Sequence, residues 1–212
     1  MALTHIQKNR TALIFIEFQN EWIGDNGVLK ERLIKDKTGL QNAIGNASKV
    51  IDAAREAEWT IAHAGLDLSR DPTYELFNNG ENVLGLRKAI PSARTWQDTG
   101  AAFVEPFVPR DGEFVTAGRS GASVLKNSTL DPFLRNRNID TLFLMGFATH
   151  VCVESTLREA HDIGYNVYVV ADACAAFEQP QHDHVRNHVI HHFGDETNSN
   201  DLIARMAEKS SS

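Results

Sequence analysis

The chain has 212 residues, 42% hydrophobic and 23% charged, which suits one domain over residues 1–212 with a sizeable core. Its net charge is −7 and no basic block appears, which argues against nucleic acid or an acidic membrane surface as a partner. The opening MALTHIQKNR lacks the apolar run of a signal peptide, no window approaches a membrane span, and two cysteines make no disulfide framework; a reducing cytoplasm is the expected setting.

Residues 12–18, ALIFIEF, form a continuous apolar run with Glu17 near its end, the pattern of a strand buried on both faces. Residues 19–39 are polar and carry Gly24, Asn26 and Gly27, which predicts a long loop with a helical turn near 29–34. Over 40–58, Ile44, Ala47, Ile51, Ala54 and Arg55 recur at helical spacing and predict an amphipathic helix. Residues 59–64, WTIAHA, read as a second strand, and Asp71 with Pro72 interrupts the chain beyond it. Residues 70–112 are the least regular part, with a turn signal NNG at 78–80 and a helical turn around 100–104. Asp111 and Gly112 turn the chain into a strand over 113–117, then a loop over 118–127. A short helix over 130–138 is capped by Ser128 or Thr129.

Residues 141–145 predict another buried strand, closed by Gly146. The helix over 151–163 places Val153, Leu157 and Ala160 on one face. A strand over 167–171, a helix over 181–192 and a terminal helix from Asp201 come next, and no internal repeat appears. Strands that are continuously apolar and alternate with helices predict an α/β fold: a three-layer α/β/α sandwich around a central, mostly parallel sheet.

Ligands of an open parallel sheet bind beyond the carboxyl ends of its strands. Glu17, Arg119 and Cys152 each come after such an end. A carboxylate to take a proton, a cation to hold a thiolate and a thiol at a helix start make a nucleophilic set. The helix start and the cation would lower the thiol pKa. On the residues alone, a lone cysteine packed in a core and a solvated Glu and Arg remain open alternatives. Cys174 reads as a packing residue after the next strand.

The string GFATHVCVEST, with ALIFIEFQNEW upstream and Arg119 thirty-three residues before Cys152, resembles the isochorismatase-like cysteine hydrolase superfamily. The similarity runs from about Ala12 to Phe193 and is weakest over 70–111. The resemblance implies a parallel-sheet α/β fold and hydrolysis of small amide or ureide C–N bonds through a cysteine acyl-enzyme, without a cofactor. It also implies an Asp–Lys–Cys triad, and this chain departs from it: Glu17 stands at the Asp position, Arg119 at the Lys position, and Cys152 is kept. The family's oxyanion hole would fall on the backbone N–H groups of Ala148 and Cys152, with a non-proline cis peptide before Ala148. Lys126 is the nearest other lysine and fits the spacing less well.

Trp22 takes the place of a family aromatic in the pocket, and Phe18, Trp96, Thr149, His150 and Phe177 are further pocket candidates. The resemblance further implies a small-molecule substrate and a homo-oligomer. Some relatives carry an Asp/His/His metal site, but the Asp-x-His order is missing around His63 and Asp67, and no metal is expected. His184, His188 and His191 read as a solvated helical stripe. Glu adds a methylene of reach and Arg cannot be deprotonated, so two functions stay open: a hydrolase with a reshaped pocket, or a member that binds a small molecule without turning it over. A thiol redox role for Cys152 is a third, with no resolving partner near it in sequence.

Overall fold

The computed structural model describes Leu3, residues 6–77 and residues 84–208. The NNG signal at 78–80 and the serine tail lie outside the described residues. In chain order the elements are β1 (Thr11–Ile16), α1 (Asn20–Ile23), α2 (Val28–Leu33), α3 (Lys37–Glu56), β2 (Thr60–Ala64), α4 (Gly85–Ala93), β3 (Phe114–Val115), α5 (Leu130–Asn136) and β4 (Thr141–Phe147). Then come α6 (Glu154–Asp162), β5 (Asn166–Ala175), α7 (Gln179–His188), α8 (Ile190–Phe193), β6 (Asp195–Thr197) and α9 (Ser199–Ala207).

The six strands form one sheet in the order β3-β2-β1-β4-β5-β6, and every pairing is parallel. All residues of β1 and β4 are buried, so the centre of the sheet is covered on both faces. Each large aliphatic or aromatic side chain in those runs contributes about 1.5–3 kcal/mol on burial. The chain builds outward from β1 through β2 to β3, then returns to lay β4 on the other side of β1. That reversal opens a crevice beyond the ends of β1 and β4.

Several boundaries depart from expectation for physical reasons. Helix α3 begins at Lys37, because the Asp36 carboxylate accepts the Gly39 N–H at 2.8 Å and caps it. At α5 the capping expectation fails in part: the Thr129 hydroxyl accepts the Ala117 N–H instead, while Ser128 accepts from Leu130. Gly146 does not close β4, which runs on to Phe147. Its φ is 127°, and a Cβ there would sit 2.0 Å from the Ile16 carbonyl, so only glycine lets β4 lie this close to the end of β1. Strand β5 extends to Ala175, which places Cys174 within the strand rather than after it.

The helix expected over 181–192 is two helices broken at Val189, the first capped by Glu178 and Gln181 in a reciprocal box. Short α1, α4 and β6 were not expected at all. Among the described residues no helix is long and apolar enough to cross a membrane.

Candidate active site

Glu17 is the first residue after β1. Its N–H donates to Ala64 at the end of β2, and its backbone enters the left-handed region with φ 60°. Gln19 fixes the same segment by exchanging two hydrogen bonds with the Leu66 backbone. The Glu17 side chain is buried, and Trp22 on α1 donates its indole N–H to Oε2 at 2.7 Å. Arg119 lies in the loop after β3 and is also buried. Its Nε donates to Gly121 O at 2.9 Å and its Nη2 to Ala122 O at 2.6 Å. Its remaining nitrogen, Nη1, is 2.6 Å from Glu17 Oε1. That contact is close but not lined up as a hydrogen bond, so Nη1 and Oε1 each lack a directed partner.

Cys152 sits in a π-helical turn, Thr149–Val153, between β4 and α6. The Phe147–Ala148 peptide before the turn is cis. Ala148 O accepts N–H groups from Val151 at 3.0 Å and Val153 at 3.3 Å, which gives the turn its wider pitch. The Cys152 carbonyl accepts the Thr156 hydroxyl at 2.7 Å, and that hydroxyl accepts the Val124 N–H at 3.0 Å. The loop carrying Arg119 is thereby tied to the helix after the cysteine.

The three expected groups come together: Glu17 and Arg119 both lie close enough to act on the Cys152 thiol by charge. One expectation is overturned. The thiol pKa is raised, not lowered, first by burial and then by the charge of Glu17; Arg119 pulls it down by less. Arg119 shows the converse balance: burial opposes its charge, but Glu17 and Cys152 outweigh burial and hold the guanidinium charged. Lys126 is exposed and takes no part. Cys174 is buried 4.0 Å from Leu144 O, and its thiol is pushed up to about 12, chiefly by burial.

Glu17, Arg119 and Cys152 line a cavity of about 430 Å³. Of the six pocket candidates, Trp22, Trp96 and Phe177 line it. Trp22 stacks on Phe177 with centroids 5.8 Å apart and meets Trp96 edge-on at 6.4 Å. Phe18, Thr149 and His150 do not line it. Phe18 comes directly after Glu17 and turns into the core, stacked on Phe107 at 4.0 Å. Thr149 is fully buried with its hydroxyl 2.9 Å from His182 Nδ1. His150 packs edge-on against Phe177 at 4.5 Å, behind the wall. The remaining wall, including Leu29, Leu33, Leu66, Phe77, Leu86 and Ile90, was missed. Most of it stands on α2, α4 and the segment after β2, where glycine and proline mask the pattern.

His63 and Asp67 do not share a site. His63 is fully buried with Nε2 2.7 Å from Glu113 Oε2, and burial lowers its pKa. Asp67 accepts from the backbone and hydroxyl of Ser69. The break at Val189 puts His191 on a different helix from His184 and His188. Among the described residues no group of three or more His, Cys, Asp or Glu side chains is placed to hold a metal.

A protein-family model described as the isochorismatase domain matches residues 11–201. An isochorismatase family protein of Bacillus subtilis is 26% identical, over 97% of this chain and 99% of its own length. A ureidoacrylate amidohydrolase of Methylobacterium radiotolerans is 31% identical, over 77% of this chain and 66% of its own. Among solved structures, a cysteine hydrolase from Pseudomonas syringae superposes with a TM-score of 0.80 at 22% identity, covering 97% of this chain and 96% of that one. N-carbamoylsarcosine amidase from Thermoplasma acidophilum gives a TM-score of 0.64 at 23% identity, covering 90% and 97%.

Proposed function

The chain belongs to the isochorismatase family of hydrolases, and from that premise we propose that it hydrolyses a small amide or ureide C–N bond through an acyl-enzyme on Cys152. The observation that carries the reading is the arrangement at the crevice: one thiol beside a carboxylate and a guanidinium that each keep an atom without a directed partner, on the wall of a single cavity. The names of relatives, ureidoacrylate amidohydrolase and N-carbamoylsarcosine amidase, support the class of bond.

In this mechanism the substrate carbonyl enters with Cys152 protonated, because burial and Glu17 disfavour a free thiolate. Glu17 takes the thiol proton as sulfur attacks the carbonyl carbon, and Arg119 stabilises the developing charge. The backbone N–H groups of Ala148 and Cys152 hold the oxyanion. As the C–N bond breaks, Glu17 returns the proton to the leaving nitrogen, which departs as amine or ammonia. Water then attacks the thioester, giving one proton to Glu17, and the carboxylic product leaves as that proton returns to sulfur. The balance is one amide and one water to one acid and one amine. Arg119 takes no part in proton transfer, since a guanidinium does not deprotonate in a protein. Trp22 is a positioning residue: its N–H pins one oxygen of Glu17, which sets where the other oxygen points.

A panel of primary amides and ureides, run with Cys152→Ala as the blank, tests the reading, with intact-mass detection of an acyl adduct on rapid acid quench. Turnover that vanishes in Cys152→Ala, with an adduct on Cys152, is expected. Turnover that survives Cys152→Ala would remove the cysteine from the mechanism. Tight binding of the same compounds without turnover would favour a non-catalytic binding protein.

A further inference from the structure

Among the described residues three charged side chains line the cavity: Glu17, Arg119 and the exposed Arg32. Glu17 and Arg119 offset each other at 2.6 Å, which leaves Arg32 as the unmatched charge among the described residues of the wall. Arg32 lies on α2, and the residues of that helix that line the cavity are Leu29, Arg32 and Leu33. These are the i, i+3 and i+4 positions of one face, so the arginine occupies a place on an otherwise apolar stripe. Its neighbours on the helix are engaged elsewhere: Lys30 donates to Gly24 O at 3.1 Å, and Glu31 lies 3.7 Å from Lys37. Arg32 has no hydrogen bond or ion pair among the described residues, although the chain carries 28 acidic groups against 21 basic ones. A second polar group on the same wall is also unpaired. Thr95 is fully buried, and its hydroxyl has no hydrogen-bond partner among the described residues.

Resting on the hydrolase reading, we propose that the substrate joins its amide to an apolar, ring-sized body bearing a carboxylate, and that Arg32 selects it by pairing with that carboxylate. The aromatic and aliphatic wall supplies the fit for the body, with Trp22, Trp96 and Phe177 beside Leu29, Leu66 and Ile90. A guanidinium offers a carboxylate two parallel donors in a fixed fork, and Arg32 holds them at the exposed side of the cavity. A cationic substrate meets repulsion at the same position. Arg32 touches the part of the substrate that does not react, so its contribution is to binding and shows in KM.

The test compares 4-(2-amino-2-oxoethyl)benzoate with its methyl ester, which share the amide and the ring and differ in the charge. Wild type is expected to favour the acid by about tenfold in kcat/KM, the effect of one charge-assisted contact of about 1.4 kcal/mol. Arg32→Gln should raise KM for the acid by about the same factor, well beyond any change for the ester, and Arg32→Lys should restore part of the preference. Equal handling of acid and ester by wild type, or equal losses on both in Arg32→Gln, would overturn the proposal. The same pair is titrated against the intrinsic tryptophan fluorescence, to which the wall residues Trp22 and Trp96 contribute with Trp59. A preference for the acid in binding that Arg32→Gln abolishes upholds the selectivity even where neither compound is hydrolysed, in which case only the hydrolase reading falls. Absence of any binding of the acid would also overturn the proposal.

Discussion

Two close pairs of glutamate and arginine, one buried and one partly buried, are built to opposite ends in this molecule. Beside β3, Arg55 grips Glu113 with two hydrogen bonds, Nε to Oε1 at 2.6 Å and Nη2 to Oε2 at 3.0 Å. The other donors of that arginine go to the carbonyls of Pro106 and Val108, and Glu113 also takes the Arg110 N–H and the ring of His63. Beyond β1, Arg119 and Glu17 approach just as closely but leave one donor and one acceptor without directed partners beside a thiol. A saturated pair holds structure together; an unsaturated one holds capacity in reserve for something that arrives later. Closeness alone therefore does not separate the two roles, whereas the bonding left over does.

The sharpest way to break this contrast is to remove the same charge from each pair. Both substitutions leave an arginine without its counter-charge, so each should cost stability, about 3 kcal/mol. Glu17→Gln should in addition lower kcat by about a thousandfold, the loss of a general base, whereas Glu113→Gln should keep kcat near wild type in the folded fraction. Urea unfolding and amidase rates on both variants check this. Equal losses of kcat in the folded fraction would erase the contrast. A second variant set asks whether glutamate and arginine are matched to each other at the site. Glu17→Asp shortens the carboxylate so that it cannot keep Trp22 and meet Arg119, and Arg119→Lys gives up the donors to Gly121 and Ala122. Each alone should cost roughly a hundredfold, since misplacement by about 1 Å does so. The double variant should lose clearly less than the product of the singles, the signature of contacting residues. Multiplicative losses would mean that the two positions act separately.

The thiol gives a smaller but more direct reading of the same pair. Burial raises the Cys152 pKa, Glu17 raises it further, and Arg119 lowers it. Alkylation by iodoacetamide should therefore be slow at neutral pH in wild type. Its onset should move to lower pH in Glu17→Gln and to higher pH in Arg119→Met. Cys174, held at about 12 by burial within β5, serves as the internal control and should react only on unfolding. An onset unmoved by either substitution would show that neither side chain acts on the sulfur.

The centre of the sheet was legible because it is made by composition. β1 and β4 are runs without a polar residue in their interiors, and such runs have few homes other than a doubly covered parallel sheet. Cys152, Glu17 and Arg119 were legible because their neighbours resemble a family's motifs, and their convergence is a consequence of sheet order. Of the cavity walls, Trp22, Trp96 and Phe177 were legible and the aliphatic part was not. Helix α4 begins at Gly85 with φ 60° and carries Pro91, two residues that read as breakers and here lie at its first and last turns. Strand β6 is Asp-Glu-Thr, polar by sequence, and is a strand only because β5 offers it an edge. The direction of the thiol shift was misread for a related reason: a helix start was weighed, whereas burial and the facing carboxylate, which no local pattern records, decide it. Phe18, another pocket candidate, turns into the core because consecutive residues at a strand end face opposite ways.

The mildest test concerns the saturated pair and pH. Burial works against the Glu113 charge, but the hydrogen bonds from Arg55, Arg110 and His63 win and hold its carboxyl at about 2, against 4.5 unperturbed. A carboxyl depressed on folding adds stability that is complete above pH 4.5 and is lost as pH falls towards 2, because the unfolded chain takes up its proton first. His63 acts at higher pH with the same sign. Its folded pKa lies below 6.5, so the unfolded state binds the proton first and stability declines as pH falls beneath 6.5. Stability should accordingly slip in two stages, beneath pH 6.5 and again beneath 4.5, and the gap between wild type and Glu113→Gln should narrow only in the second. Urea titrations at about pH 7, 5.5 and 3.5 measure that gap, and one that stays constant across the three would sink the claim that this carboxylate is held by its partners.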